Sequence, residues 1–589
     1  MSVFNPANGE VICNVTDCCS EDVEDAVQAA IVAFKSFKET TAKERSAMLL
    51  KFYELQNKHA EDLAKLMTAE NGKPMVESRS EVVYGASFLE WFAAEARRMY
   101  GDYVPAPVKG REMVFIKQPV GVTGIITPWN FPNAMITRKI GAALAAGCTC
   151  IIKPAPETPL SALALAQLGT RSRLPSRARR PLRESAGPCA STTRSTALSF
   201  TGSSAVGKLL LAQCADSVKK VSLELGGNAP FIVFDTANLE KAVNGALACK
   251  FRNTGQTCVS ANRILVQEGI HDKFVAALTE AIQQRMKIGD GFNPDTTLGP
   301  LINSKAVEKV EQHVADAIKK GAKVVVGGKR HALGGNFFEP TLVTNVNRSM
   351  LVCAEETFGP VASVQDEEEA VELANSTRVG LAGYFYTESI AQGWRVAKAL
   401  EVGMVGVNEG IISCAEAAFG GVKESGLGRE GSRYGLDEFT QIKYICFGGL
   451  DGGGGRGGMG GGGPRGGGRG ASRGRMDYKP PIRVLLSPPP HKSGAGLSLQ
   501  CYLCGKLGHI SRDCPNSERD DRKCYNCGHL GHISRDCPEA GGNDAVADVC
   551  YRCNERGHIA RNCRSTRANN RCYHCGEVGH LARECEMKA

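Results

Sequence analysis

Val120-Gly-Val-Thr-Gly-Ile-Ile126 is a short apolar run, and a stretch rich in Ala and Leu, 134–146, follows it. Cys150-Ile-Ile-Lys153 is a second apolar run, and 158–168 is a second helix-forming stretch. Buried strands that alternate with helices at this spacing are typical of a parallel sheet covered by helices on both faces. The stretch therefore predicts an α/β fold with a doubly wound sheet.

The alternation of strands and helices continues towards the C-terminus. A strand is predicted over 220–225, and more strands and a long helix from His271 follow between residues 230 and 410. Residues 21–100 instead show helical periodicity with acidic starts, which indicates surface and packing helices. We therefore expect two α/β domains after a helical N-terminal region.

A cysteine lies within Phe251-Arg-Asn-Thr-Gly-Gln-Thr-Cys258-Val-Ser-Ala-Asn-Arg263. It follows a Gly-Gln-Thr turn, and we expect a helix to begin after it. A helix N-terminus lowers the pKa of a cysteine and favours the reactive thiolate. The commoner role of a single cysteine is that of a small buried apolar residue. This stretch alone leaves both roles open.

Three further stretches favour the reactive role. They are Pro128-Trp-Asn-Phe-Pro132, Leu223-Glu-Leu-Gly-Gly227 and Glu355-Glu-Thr-Phe-Gly-Pro360. With Cys258, and in this order, they resemble the NAD(P)-dependent aldehyde dehydrogenase family over residues 4–450. The resemblance implies a Rossmann-like cofactor domain over 1–225, an α/β catalytic domain over 226–418, and a return segment with an oligomerisation arm over 419–450. It also implies a homo-oligomer.

The resemblance assigns chemical roles to three residues. Cys258 is expected to be the nucleophile, Asn130 to stabilise the oxyanion, and Glu224 to activate water. Glu224 ends an apolar strand directly before two glycines that permit close backbone approach, which suits a base better than a solvated surface position.

The cofactor is expected to be NAD or NADP. The resemblance implies that Lys153 meets the adenosine ribose, but Pro156 stands where the family often has a ribose-binding Glu. Without that carboxylate a 2′-phosphate is not repelled, so NAD is only slightly favoured. Gly202 and Ser203 begin a helix that suits the pyrophosphate. The remaining expected cofactor contacts are Trp129, Glu356 and Phe358.

Three positions resemble the succinate-semialdehyde dehydrogenase group of the family: Arg138, Arg252 and Ser413. In that group, the corresponding residues hold the distal carboxylate of the substrate, and forked guanidinium donors suit a carboxylate. The alternative is that both arginines form structural ion pairs. Ser260 stands where the group often carries a second cysteine, so we expect no redox disulfide with Cys258.

Residues 169–197 depart from the family pattern. They carry seven Arg against one acidic residue and show neither a strand nor a helix period. The stretch is interpreted as a misread frame, with a basic insertion as the alternative. If the stretch is real, the cofactor domain lacks a sheet strand.

The composition changes after Leu450. Residues 451–589 hold 22 Lys and Arg against 14 Asp and Glu, so they carry +8 of the formal net charge of +9. Such a basic tail suggests an anionic partner. Residues 451–500 are rich in Gly, Arg and Pro, which predicts a disordered RGG-type linker.

Residues 501–589 repeat the pattern Cys-x2-Cys-x4-His-x4-Cys four times, and three thiolates with one imidazole form a closed tetrahedral zinc site. We therefore expect four Zn²⁺. The repeats resemble the zinc knuckles of cellular nucleic-acid-binding proteins, which implies binding to single-stranded RNA or DNA. The predicted ligands are Cys501, Cys504, His509, Cys514, Cys524, Cys527, His532, Cys537, Cys550, Cys553, His558, Cys563, Cys572, Cys575, His580 and Cys585.

Together these patterns predict an enzyme that oxidises succinate semialdehyde and carries a nucleic-acid-binding tail. One alternative is mainly a zinc-knuckle binding protein with an impaired enzyme half, and another is the artefactual joining of two genes. The sequence contains no run of 18 or more apolar residues, so no membrane span is predicted. The N-terminus resembles neither a signal nor a transit peptide, so a cytoplasmic location is expected. The family usually has a further strand pair before residue 3, so a truncated start and a mitochondrial location are the alternative.

Overall fold

Two large sheets organise the residues that the computed structural model describes, which are 1–172, 194–366 and 370–450. The chain divides into two units, Met1–Met459 and Gly460–Ala589, and all described residues belong to the first. The linker and the four knuckles predicted over 451–589 lie outside the described residues.

The helices of the described residues are α1 (Ser20–Phe37), α2 (Ala42–Lys58), α3 (Ala60–Asn71), α4 (Met75–Ala96), α5 (Ala134–Ala146), α6 (Pro159–Arg171), α7 (Ser204–Ala215), α8 (Leu239–Phe251), α9 (Glu268–Arg285), α10 (Ser304–Lys319), α11 (Leu351–Ala354), α12 (Ala370–Asn375) and α13 (Ile390–Ala399). Two 3-10 helices cover Arg252–Gly255 and Arg433–Phe439.

The strands are β1 (Ser2–Phe4), β2 (Val11–Asn14), β3 (Asp102–Pro105), β4 (Glu112–Pro119), β5 (Val122–Ile126), β6 (Thr149–Lys153), β7 (Ala197–Thr201), β8 (Lys220–Glu224), β9 (Ala229–Val233), β10 (Ala261–Val266), β11 (Lys323–Val326), β12 (Thr341–Thr344), β13 (Val361–Asp366), β14 (Val379–Gly380), β15 (Ala382–Tyr386), β16 (Met404–Val407), β17 (Val422–Lys423), β18 (Gly426–Leu427) and β19 (Thr440–Phe447).

The first large sheet has the strand order β18-β8-β7-β5-β6. Its four longer strands are parallel, and β18 from the return segment joins β8 antiparallel. One face packs against a core built from α2 to α6, and the other packs against α1 and α7. Every residue of α5 is buried, which explains its mostly small and apolar sequence, and its two charged residues, Arg138 and Lys139, are buried with the rest. The predicted doubly wound α/β fold is confirmed.

The second large sheet has the order β11-β12-β13-β10-β9-β15-β16. It is parallel except for β11, which pairs antiparallel with β12. The chain changes from one sheet to the other between β8 and β9. In a separate antiparallel sheet of order β19-β4-β3, the last described strand, β19, pairs with β4 along its whole length.

Two predicted boundaries differ from the structure. The prediction that 169–197 lacks regular structure is wrong at its ends, since α6 continues to Arg171 and β7 begins at Ala197. Residues 173–193 lie outside the described part of the chain. The helix predicted from His271 begins three residues earlier, at Glu268, where an acidic residue in the first turn favours the helix dipole.

Candidate active site

The carboxyl ends of the parallel strands in the first sheet bring most of the predicted site residues together. Ile126 pairs with both Phe200 and Lys153, and Thr201 pairs with Glu224, so these four strands end at one edge. Ligands of open α/β sheets bind at this edge. The segment 128–132 follows β5, and Gly202 and Ser203 follow β7. The edge therefore gathers predicted base, oxyanion and cofactor residues.

A strained turn precedes the predicted nucleophile. Asn253, Thr254 and Gly255 all have positive φ, at 52°, 56° and 75°. For the two residues that carry a Cβ, this conformation costs energy and persists only where the surroundings hold it. Both carboxylate oxygens of Glu77 accept from the backbone N–H of Asn253 at 3.0 Å. The Thr254 hydroxyl donates to the Gly299 carbonyl at 3.0 Å. The turn thus fixes the position of the Cys258 backbone that follows it.

Cys258 lies in a turn that leads into β10, so the helix predicted after it is wrong. The run 261–266 is fully buried and β-branched or apolar at most positions, which favours a strand between two parallel neighbours. The expected lowering of the Cys258 pKa is also wrong. Burial, and next the charge of Glu356, raise the pKa of the thiol to about 12, against which Arg138 acts in the lowering direction.

Asn130 is buried and held beside this turn. Its side-chain amide donates to the Gln256 carbonyl at 3.0 Å, which uses one of its two N–H groups. Its backbone carbonyl accepts from the Lys73 ammonium at 2.7 Å and from the Asn253 side chain at 3.0 Å. The second side-chain N–H of Asn130 and the Cys258 amide, which donates to no other described residue, remain available as donors.

A buried ion pair holds the backbone of Asn130 in position. Lys73 donates to the Glu81 carboxylate at 2.6 Å, and both side chains are 1% exposed. The other Glu81 oxygen accepts from the amides of Asn133 and Ala134, at 2.9 and 3.2 Å. A carboxylate there stabilises the positive end of α5. The pair thus joins the start of α5 to the Asn130 backbone.

Glu224, the predicted base, is 2% exposed, and neither carboxylate oxygen has a hydrogen-bond partner among the described residues. Burial, and next the charge of Glu430, raise its pKa well above the usual value, while Lys139 and Arg138 act in the opposite direction. A buried carboxylate without a partner is unusual, because desolvation of such a group is costly. Such an arrangement is typical of a group used in proton transfer.

Glu356 and Phe358 lie opposite the end of β8. The Glu356 carboxylate accepts from the Gly227 amide at 3.1 Å, and a Cβ added at Gly226 would lie 2.9 Å from its other oxygen. Burial raises the pKa of Glu356 to about 7. The Phe358 ring meets Trp129 edge to face, with centroids 6.1 Å apart at 82°. Trp129 and Phe358, both predicted to contact the cofactor, therefore pack against each other.

The other expected cofactor contacts lie along the sheet edge. Lys153 ends β6, and its ammonium donates to the Pro154 carbonyl at 3.4 Å. Ser203 caps α7 by accepting from the Val206 amide at 3.4 Å. The free N–H groups of the first turn of α7 form a site of the kind that binds phosphate groups.

The three predicted carboxylate contacts have different surroundings. Arg138 is 3% exposed; it donates to Glu430 at 3.3 Å and to the Tyr84 hydroxyl at 2.6 Å, while its Nε has no partner in the described part of the chain. Arg252 is half-buried over the Phe131 ring at 5.0 Å and forms no ion pair within the described residues. The Ser413 side chain lies near the Tyr84 hydroxyl and acts on it electrostatically. The ion-pair alternative therefore describes Arg138 in part and does not describe Arg252.

Several residues of this site were not identified from the sequence. They are Lys73, Glu77, Glu81, Tyr84, Lys139, Asn253 and Glu430. Lys139 donates to both Glu430 and Ser199, so one carboxylate serves Arg138 and Lys139 together. For the charged residues on helices, such as Glu81 and Lys139, the available signal was a charge within an apolar face. Most of the partners could not be predicted because they lie far away in the sequence.

Metal binding and membrane crossing have no support among the described residues. Within 1–172, 194–366 and 370–450, no group of three or more His, Cys, Asp and Glu side chains is placed to hold a metal ion. The sixteen predicted zinc ligands lie outside these ranges. In the same ranges, no helix is long and apolar enough to cross a membrane.

Models of two known families match the two parts of the chain that the sequence motifs distinguish. The model of the aldehyde dehydrogenase family matches residues 1–445. The zinc knuckle model matches 499–516, 522–539, 548–565 and 570–587.

The chain is similar to the mitochondrial succinate-semialdehyde dehydrogenases of several organisms. It is 57% identical to that of Rattus norvegicus over 463 residues, which cover 76% of this chain and 88% of the relative. It is 56% identical to the Homo sapiens protein, with 76% and 86% covered, and 53% identical to that of Arabidopsis thaliana, with 77% and 87% covered.

Solved structures share the fold. An NADP dependent enzyme of E. coli has a TM-score of 0.74 at 52% identity, covering 76% of this chain and 94% of that one. Succinate-semialdehyde dehydrogenase from Burkholderia pseudomallei has a TM-score of 0.74 at 50% identity, with the same coverage. Betaine aldehyde dehydrogenase from Staphylococcus aureus in complex with NAD+ has a TM-score of 0.74 at 35% identity, covering 76% and 91%. On its motifs, its two sheets and these likenesses, the chain belongs to the aldehyde dehydrogenase family.

Proposed function

We propose that the chain oxidises succinate semialdehyde to succinate with NAD or NADP as the hydride acceptor. The observation that carries the substrate assignment is Arg252. Its half-buried guanidinium forms no close ion pair in the described residues, although the Glu77 carboxylate interacts with it at longer range, and it begins the 3-10 helix that leads to Cys258. A half-buried guanidinium that is not occupied by a close ion pair suits a substrate with a carboxylate at its far end.

The chemistry begins at Cys258. Its thiolate attacks the aldehyde carbon, and the negative charge that develops on oxygen meets the Cys258 amide and the free side-chain N–H of Asn130. The Lys73 and Asn253 contacts to the Asn130 backbone keep that donor in place before substrate arrives. Donors fixed in advance stabilise the oxyanion without reorganisation.

Glu224 completes the reaction by activating water against the thioester. Its burial, and next the charge of Glu430, raise its pKa, which makes it a stronger base once it is ionised. The neighbouring Arg138 and Lys139 favour the ionised form. The water oxygen bonds to the thioester carbon as one water proton moves to the Glu224 carboxylate. The bond between that carbon and the Cys258 sulfur then breaks and releases the acid product and the Cys258 thiolate.

The sheet edge fits a dinucleotide. The first turn of α7 suits the pyrophosphate, and Lys153 at the end of β6 suits a ribose. The Glu356 carboxylate is held by the Gly227 amide, just beyond the end of β8. When bound, NAD or NADP supplies the hydride acceptor. Pro156 leaves no carboxylate against a 2′-phosphate, so we propose that both forms are used.

The substrate assignment is tested by the ratio of kcat/KM for succinate semialdehyde to that for butanal. Arg252→Ala should lower the ratio strongly, because a lost charge-assisted contact costs about 2–5 kcal/mol. Arg285→Ala, on the exposed end of α9, is the matched control. Equal losses for both aldehydes would exclude recognition of the carboxylate by Arg252.

For the tail we propose four zinc-loaded knuckles that bind single-stranded nucleic acid. Each repeat has a complete ligand set and is too small to form a core without metal. Purified tail should bind four Zn²⁺ and prefer a single strand to a duplex, with an affinity that falls as salt rises. Tyr525→Ala should weaken binding by roughly 1–3 kcal/mol if its ring stacks on a base. Zinc-loaded tail that ignores single strands at low salt would contradict this proposal.

Assembly and location remain predictions. We propose a homo-oligomer that uses β19, whose Ile442, Tyr444 and Phe447 side chains are exposed. The cytoplasmic location stays a prediction, and the names of the mitochondrial relatives favour the alternative. Size-exclusion chromatography with light scattering tests the first, and cell fractionation tests the second.

A further inference from the structure

Tyr84 contacts Arg138 and lies near Ser413, two of the three residues assigned to the distal carboxylate. Its hydroxyl accepts a 2.6 Å hydrogen bond from Arg138 Nη2, and the Ser413 side chain is close enough to act on the same hydroxyl. Its ring also lies 5.4 Å from the Arg138 guanidinium. One side chain therefore lies beside two of the residues that were identified separately, one from α5 and one from the segment after β16.

The packing of α4 against α5 makes this reach possible. A Cβ added at Gly85, the next residue along α4, would lie 2.0 Å from the Asn133 side-chain oxygen. The two helices therefore approach closely beside Tyr84. The rings of Phe88 and Phe419 lie 5.0 and 4.8 Å from the Arg138 guanidinium. Packing against these rings restricts the guanidinium and helps to hold its N–H donors in place.

The hydrogen atoms of this group can be assigned. A guanidinium only donates, so the Tyr84 oxygen accepts from Arg138. The single Tyr84 proton then points away from Arg138 and is available to the nearby Ser413 oxygen. That arrangement leaves the Ser413 proton, and the unpartnered Arg138 Nε, for an incoming acceptor. A carboxylate accepts at both of its oxygens and is the group that such donors fit.

We infer that Tyr84 is a positioning residue that orients Arg138 and Ser413 towards the distal carboxylate and so selects carboxylated aldehydes. The inference rests on the proposed function. It predicts that removal of one hydroxyl oxygen, with the ring retained, damages recognition of the charged substrate more than recognition of an uncharged one.

The experiment compares Tyr84→Phe with wild type in the full chain, using succinate semialdehyde and butanal. The KM for succinate semialdehyde should rise about tenfold or more, since a buried charged donor loses its acceptor. The effect on butanal should be clearly smaller, and the loss should fall mostly in KM. Tyr53→Phe, on α2, is the matched control, because the Tyr53 hydroxyl makes no hydrogen bond within the described residues and its ring is half-buried. It should leave both substrates unchanged.

Three further variants separate the possible failures. If Tyr84→Phe affects both aldehydes equally while Arg252→Ala remains selective, the Tyr84 inference is overturned and the substrate assignment stands. If Arg252→Ala is also unselective, the proposed substrate fails and the inference fails with it. Should Tyr84→Phe not fold, Ser413→Ala tests the same contact, and an unchanged KM for succinate semialdehyde overturns the inference. In the Tyr84→Phe, Ser413→Ala double variant, losses smaller than the sum of the single losses support it.

Discussion

The Gly227 amide donates to the Glu356 carboxylate at 3.1 Å and thereby joins two motifs that are 129 residues apart. The same glycine lies against the nucleophile segment, since a Cβ at position 227 would come within 2.7 Å of the Cys258 carbonyl oxygen. The residues assigned to nucleophile, base and cofactor are thus connected through one small backbone position.

Gly227→Ala should lower kcat/KM sharply, because the added methyl group must displace the Cys258 backbone, which cannot move freely. Gly393→Ala on α13 is the control, as its added Cβ meets only side-chain atoms at 3.8 Å. Steady-state kinetics together with thermal melting check the prediction. Unchanged activity in Gly227→Ala would show that the segment around Cys258 is adaptable.

The pH dependence of the Cys258 thiol follows from its burial. Its pKa is raised to about 12, so at neutral pH almost all of it is protonated in the free protein. Only the thiolate reacts, so alkylation by iodoacetamide should rise about tenfold per pH unit between pH 7 and 10. Peptide mass spectrometry follows Cys258 separately from the exposed Cys446. A rate at Cys258 that is flat over this range would contradict the raised pKa.

Glu224→Gln should separate the two halves of the reaction. Hydride transfer needs no base at this position, so a rapid burst of about one NAD(P)H per active site should appear. Turnover should then stall with the acyl group on Cys258, which intact mass spectrometry detects. Glu54→Gln, on the exposed face of α2, should turn over normally. Steady turnover in Glu224→Gln would assign the base to another residue.

Lys73→Ala should destabilise the fold by about 3–5 kcal/mol, because it leaves the buried Glu81 carboxylate without its cation. Urea denaturation measures the loss. Arg79→Ala breaks an equally close pair with Glu61, but those side chains are about half exposed, so little change is expected. Addition of Glu81→Gln to Lys73→Ala should recover part of the stability. Similar losses in both single variants would contradict the role of burial.

The strand and helix order of residues 120–168 could be predicted from the sequence because these elements are short and mostly apolar. Ala134–Ala146 shows this best, since a helix buried on all sides has little freedom in its composition. The order of motifs along the chain predicted that Glu224 and Cys258 share a site, and the charge of Glu224 does act on the Cys258 thiol. The surroundings of Cys258 could not be predicted, since its pKa depends on Glu356 and Arg138, which come from other elements. Tyr84 was missed for the same reason, as its partner Arg138 is 54 residues away.

The carboxylate of Glu430 reaches back to Lys139 across 291 residues, and to Arg138 across 292. A ribosome that adds 5–20 residues per second needs roughly 15–60 s to make that distance. During this interval Arg138 and Lys139 lack the carboxylate that pairs with both of them, and β18 is not yet present to complete the first sheet. Cys258 is synthesised before Glu430, so the nucleophile segment enters the nascent chain before these ion pairs can form.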